Sequence, residues 1–144
     1  MISDSDRQAI LDLFTRFTIA VDAGDADGWA DAFAEDGAFI TPTATTEGRE
    51  AIRALATRVI GNRPEGVWGP GQHRLSNILI QGDGDTARGF SYVEWAAKHK
   101  ETEKNEIALL AVYIDDLRKV DGEWYLARRQ LKPQVPALSD IWAD

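Results

Sequence analysis

Four strand-length runs fill the second half of the chain, residues 73–81, 86–100, 106–119 and 123–132, with only short joints between them. Two of the joints, Gly82-Asp83-Gly84-Asp85 and Asp121-Gly122, carry hairpin chemistry, because Gly and Asp tolerate the positive φ that tight turns need. Strands joined in this way pair antiparallel. The first half of the chain has no such runs and instead repeats apolar residues at three-and-four spacing, the period of a helix. Helices first and an antiparallel meander afterwards predict an α+β fold, with the helices packed on one face of a curved sheet. At 144 residues the chain fits a single domain, 1–144, able to bury ~70% of its unfolded surface. No internal repeat or linker divides it.

The first helix is the best-marked element. Ser3 and Asp4 can cap it, Ile10, Leu13, Phe14, Phe17 and Val21 form its apolar stripe, and Gly24 is its stop. Asp22 falls on the border of that stripe. A second helix is expected over 26–34 with Trp29 and Phe33 inward, then a turn at Glu35-Asp36-Gly37, a short strand over 38–41 and a loop over 42–46. Residues 48–60 read as a third helix with Ala51, Ile52, Leu55, Ala56 and Val59 on one face. Residues 61–71, GNRPEGVWGPG, have the composition of a long irregular loop, a length often used for a lid, and hold one large aromatic, Trp68.

Composition removes several functions. A chain with 44% hydrophobic residues, 28% charged residues and five Trp is globular rather than disordered. The absence of cysteine excludes disulfides, a thiolate nucleophile and iron–sulfur clusters, and fits a reducing, cytoplasmic setting. A formal charge of -8 without a basic stripe argues against nucleic acid as a partner. No apolar run approaches the ~20 residues of a membrane span, and the first residues, with Asp4 and Asp6, do not read as a signal peptide. His73 and His99 are the two histidines, far apart and outside any metal-binding spacing, so no metal is expected. No glycine pattern cradles phosphate, and Ser76, Ser91 and Ser139 sit in no nucleophile turn, so no cofactor is expected.

What remains is a small set of polar residues in apolar company. His73 opens a strand after the glycine-rich segment and alternates with Leu75, Asn77 and Leu79, which reads either as a core histidine or as a site facing the helices. Asp22, with Asp25 and Asp27, reads either as part of a helix-end cluster or as a carboxylate beside the core. Arg128 and Arg129 point to opposite faces of the last strand, so one must either reach water or lie under the helices, where it needs an anion. Phe90, Tyr92, Trp95 and Tyr113 fit either plain core or a pocket wall.

The segments IAVDAGDADGWADAFAEDGAF, EGREAI, GQHRLSNILI and VYIDDLRKVDGEWYLARR together resemble the SnoaL-like branch of the nuclear transport factor two-like superfamily, over roughly residues 10–130. The resemblance implies a cone-shaped, cystatin-like roll, in which three N-terminal helices pack on a strongly curved, mostly antiparallel sheet around a pocket. It also implies a choice of functions, since the fold hosts dehydratases, isomerases, polyketide cyclases, dioxygenase small subunits and binding modules. Ketosteroid isomerases carry a tyrosine at the place of Phe17 and a catalytic aspartate at that of Thr41, so that chemistry is disfavoured. Scytalone dehydratase, the bile-acid dehydratases and hexachlorocyclohexane dehydrochlorinase pair an aspartate at the end of the first helix with a histidine after the lid, the places of Asp22 and His73. The dehydrochlorinase adds an arginine on the last strand, the place of Arg129. Its lysine falls on Phe17, and the second histidine of scytalone dehydratase falls near Ser91.

The expectation is therefore a cofactor-independent lyase acting on a small cyclic or aromatic molecule, with His73, Asp22 and Arg129 catalytic and Phe17, Trp68, Ser91, Trp95 and Tyr113 around the substrate. The alternatives are a cyclase or isomerase with the same dyad, a ligand-binding module, or a dioxygenase small subunit. The resemblance further implies a homo-oligomer, trimer rather than dimer. The apolar stretch 133–142 is expected to cover either its own pocket or a neighbour's.

Overall fold

The computed structural model describes residues 1–142. Helix α1, Asp4–Ala23, begins where Ser3 Oγ accepts the Asp6 N–H, and its first-turn acids complement the helix dipole. It ends at Gly24, whose φ of 74° is the left-handed stop that glycine supplies without strain. The expected stripe is buried: Ile10, Leu13, Phe14, Phe17 and Val21.

Helix α2, Ala26–Asp31, is shorter than expected, capped by Asp25 and holding Trp29 inward. Phe33 does not belong to it. That residue opens strand β1, Phe33–Ile40, paired parallel to the last strand with Phe33 opposite Leu126. The expected turn at Glu35-Asp36-Gly37 is a bulge inside this strand, and at Gly37 a Cβ would stand 2.9 Å from the Leu126 carbonyl. Strand β2, Thr45–Glu47, returns beside β1. Helix α3, Arg49–Asn62, buries only Ile52 and Ala56 of its five expected inward residues. Val59 is left 39% exposed, bordering a cavity described below.

The irregular loop expected over 61–71 is largely ordered. Helix α3 runs on to Asn62, a 3-10 turn spans Arg63–Glu65 with Pro64 in its first positions, and strand β3, Trp68–Asp83, starts well before His73. Gly71 is in the ladder, opposite Ala97, because pairing with strand β4, Thr86–His99, overrides local turn propensity. Strands β5, Asn105–Val120, and β6, Glu123–Lys132, complete one six-stranded sheet in the order β2-β1-β6-β5-β4-β3. Every neighbouring pair is antiparallel except β1 with β6.

Bulges interrupt the register in all four longer pairings, and such insertions bend and twist the strands that carry them. One of them breaks the alternation expected after His73: Asn77 has a φ of 52° and is exposed. The concave face packs Val93, Ala111, Tyr113 and Leu117 against the α1 stripe. The C-terminal stretch does not cover its own chain's pocket as expected: Ile141 and Trp142 lie on the opposite face, over Phe90, Val112, Leu79 and Ile114, because those strand residues offer the apolar surface there.

Candidate active site

Asp22 lies in the last turn of α1, where the helix dipole disfavours a carboxylate. Its reason for being there is the neighbouring strand. Oδ2 accepts the backbone N–H of His73 at 2.8 Å, and Oδ1 lies 2.5 Å from His73 Nδ1. The two side chains are 21% and 16% exposed, so the pair is largely desolvated yet reachable. The His73 ring stacks on the Trp95 indole, 5.8 Å between centroids and 19° between planes. Held by its carboxylate and its stacking partner, the imidazole keeps a fixed orientation, and Nε2 has no hydrogen-bond partner among the described residues.

The pair opens into a cavity of about 560 Å³ lined by Val21, Trp29, Val59, Trp68 and Trp95, with the 3-10 turn and the glycine-rich start of β3 over it. Basic side chains hold this roof in place. Lys100 Nζ donates to the carbonyls of Gly66 at 2.6 Å, Pro64 at 2.8 Å and Arg63 at 3.4 Å. Arg63 Nη2 donates to the Val21 carbonyl at 2.6 Å, next to Asp22. His99 packs edge-on against Trp68, 5.2 Å between centroids.

Arg129, Phe17, Tyr113 and Ser91, also singled out in the sequence, do not line this cavity. Arg129 is fully buried, with Nε 2.8 Å from Asp115 Oδ1 and Nη2 2.7 Å from Asp115 Oδ2. This is the anion it needed, and it comes from the neighbouring strand rather than from a ligand. Its guanidinium lies over the rings of Tyr113, Phe17 and Phe14, at 4.1, 4.6 and 5.0 Å from their centroids. Phe17 and Tyr113 are thus core around a buried ion pair, not cavity wall, and burial pushes the Tyr113 phenol up to about 12. Burial also pushes the Asp115 carboxyl up, and Arg129 opposes that shift. Ser91 is fully buried in the same layer, with no partner for Oγ among the described residues. Of the five expected substrate contacts, Trp68 and Trp95 line the cavity and Phe17, Ser91 and Tyr113 do not.

Sequence reasoning missed Arg63, Lys100 and Trp29 as cavity residues, and Asp115 as the partner of Arg129. Among the described residues, no three His, Asp or Glu side chains gather as metal donors, and no helix is long and apolar enough to cross a membrane.

The sequence profile described as SnoaL-like domain matches residues 4–130. No curated protein matches the chain significantly. Among solved structures, a Mycobacterium tuberculosis protein of unknown function is 29% identical with a TM-score of 0.78, over 99% of this chain and 82% of its own. A Nostoc punctiforme protein of unknown function with a cystatin-like fold is 28% identical with a TM-score of 0.76, over 95% of this chain and 98% of its own. A candidate scytalone dehydratase from Novosphingobium aromaticivorans is 25% identical with a TM-score of 0.76, over 91% of this chain and 85% of its own.

Proposed function

The chain belongs to the SnoaL-like domain family, which includes dehydratases and cyclases, and from that membership and the site geometry we propose that it is a lyase acting by elimination on a small cyclic or aromatic molecule. The observation that carries this reading is the Asp22 carboxylate on His73 Nδ1, with Nε2 left unpartnered in a cavity walled by indoles. A carboxylate on Nδ1 favours the tautomer whose Nε2 lone pair is free, and it stabilises the imidazolium formed once a proton is taken up. Nε2 removes a proton from a substrate carbon, and the C–H electron pair becomes the new double bond. The group on the adjacent carbon departs with its own bonding pair, as halide, or as water once the imidazolium returns the proton to it. The balance closes without an added oxidant or reductant. Arg129 takes no direct part, because Asp115 neutralises it in the core.

The same reading takes the protein to be a homo-oligomer. The test is a panel of cyclic alcohols and halides bearing an acidic C–H, assayed for alkene formation with the native protein and with His73→Ala. Alkene formation that the substitution removes from a folded protein supports the reading, and undiminished turnover in His73→Ala defeats it.

A further inference from the structure

Arg63 is half-buried, borders the cavity and has a single side-chain hydrogen bond, from Nη2 to the Val21 carbonyl. A guanidinium has five N–H donors in a fixed fork, so most of its capacity is uncommitted. No carboxylate lies within ion-pair distance among the described residues, although the chain has 24 acidic residues against 16 basic ones. Arg53, Arg118 and Arg129 are each paired with carboxylates. Arg7 and Arg49 also bond a carbonyl, but neither borders this cavity. A cation partly withdrawn from water without a counterion is costly unless something else supplies the anion.

Lys100 cannot serve in its place, since its three ammonium donors already meet three carbonyls. It nevertheless adds positive charge on the same side of the cavity. Among the described residues the only acid in the lining, Asp22, is turned onto His73. Three indole rings, Trp29, Trp68 and Trp95, are the aromatic part of the lining, and such faces suit a flat ring system.

Resting on the reading of Asp22 and His73 as the reacting pair, we propose that the substrate class is a planar ring compound bearing a carboxylate, anchored by the Arg63 fork while its other end meets His73. Planar bidentate recognition of a carboxylate is what distinguishes an arginine from a lysine at such a position.

Isothermal titration calorimetry at pH 7.5 with 2-naphthoate and the isosteric but neutral 2-naphthamide tests this directly. The expected result is that naphthoate binds about tenfold more tightly, the scale of one charge-assisted bond. Arg63→Gln should erase that preference by weakening naphthoate alone, and Arg63→Lys should restore part of it. His73→Ala should keep the preference, which separates Arg63 from a protonated imidazole as the anion binder. Equal affinity for the two probes overturns the inference while leaving the elimination reading to its own assay. An equal loss of both probes in Arg63→Gln overturns it too, because a roof tether alone would act on both alike. If neither probe binds, the proposed substrate class is wrong.

Discussion

The Asp22 carboxylate grips His73 at two points, the ring Nδ1 at 2.5 Å and the backbone N–H at 2.8 Å, across fifty-one residues of chain. One oxygen fixes where the strand passes the helix end, and the other fixes the ring. An asparagine cannot accept at both points, because one of its two terminal atoms is a donor. Asp22→Asn is therefore expected to lower elimination by about 10²–10⁴-fold, the range for a mispositioned general base. At pH 9, ¹⁵N NMR should show one His73 tautomer, protonated on Nδ1, in the native protein and a mixture in the variant. Identical tautomer populations in the two proteins would refute the orienting role.

Gly71 tests the stacking arrangement. A Cβ there would collide with Trp95 Nε1 and stand 2.7 Å from the Ala96 carbonyl, so the indole that backs His73 would have to move. Gly71→Ala should cost about 1–3 kcal/mol of stability by overpacking and should change the near-ultraviolet circular dichroism of the tryptophans. Urea denaturation and that spectrum check it, and an unchanged spectrum would show that Trp95 does not need this clearance.

The Asp115–Arg129 pair has a different signature from a substrate-binding arginine. Removing one partner leaves a charge in the core, so Asp115→Ala should cost about 3–5 kcal/mol. Replacing both, as Asp115→Leu with Arg129→Met, should recover much of that loss, since the three surrounding rings already form an apolar cage. Urea unfolding of the two variants measures the difference. A double variant as unstable as the single one would mean that the pair does more than satisfy itself.

The first helix and the hairpins were legible because their signals are local: a cap, a stripe, a glycine stop and two Asp/Gly turns. The placing of Asp22 beside His73 came from the resemblance, since no period in the sequence relates a helix end to a strand start fifty-one residues away. Residues 61–71 misled because glycine and proline report backbone freedom, whereas the partner strand β4 decides whether that freedom is used. The match of Asp115 to Arg129 was hidden by a single bulge. Counting back from the Asp121-Gly122 turn in the register of Leu117 with Leu126 sets Asp115 against Arg128, and the shift between Asp116 and Leu117 moves it to Arg129. The helical stripe put Phe17 on the inner side and the resemblance put Ser91 near the pocket, but depth beneath the helices has no periodic signal.

Acid should reveal the anchor of the N-terminus. Asp6 Oδ1 accepts from Lys119 Nζ and Trp124 Nε1, both at 2.8 Å, and Oδ2 accepts from the Ser3 hydroxyl at 2.8 Å. Those donors hold its carboxyl well below the usual carboxylate range, the Lys119 bond foremost. A depressed folded pKa contributes stability above the unfolded value of about 3.9, and that contribution fades as pH falls through the folded one. Asp6→Asn should thus melt lower than the native protein at pH 7, with the gap closing below about pH 4. Melting curves from pH 7 to pH 2.5 check it, and a gap independent of pH would contradict the assignment.

The convex face of the sheet carries the last expectation. Ile141 and Trp142 cover Phe90 and Val112, but Tyr92 and Leu110 on the neighbouring positions of β4 and β5 stay 38% and 67% exposed. The C-terminal stretch therefore covers part of its own sheet and leaves an apolar remainder beside it. A remainder of this kind marks an interaction surface more often than bare solvent exposure. A second copy can bury it, so light scattering at micromolar concentration is expected to give a multiple of the 15.9 kDa chain mass, with the resemblance favouring three copies over two. Leu110→Glu should shift the protein toward single chains without unfolding it, because that side chain has little intramolecular packing to lose. A native mass near 15.9 kDa would show that the face is not used between copies.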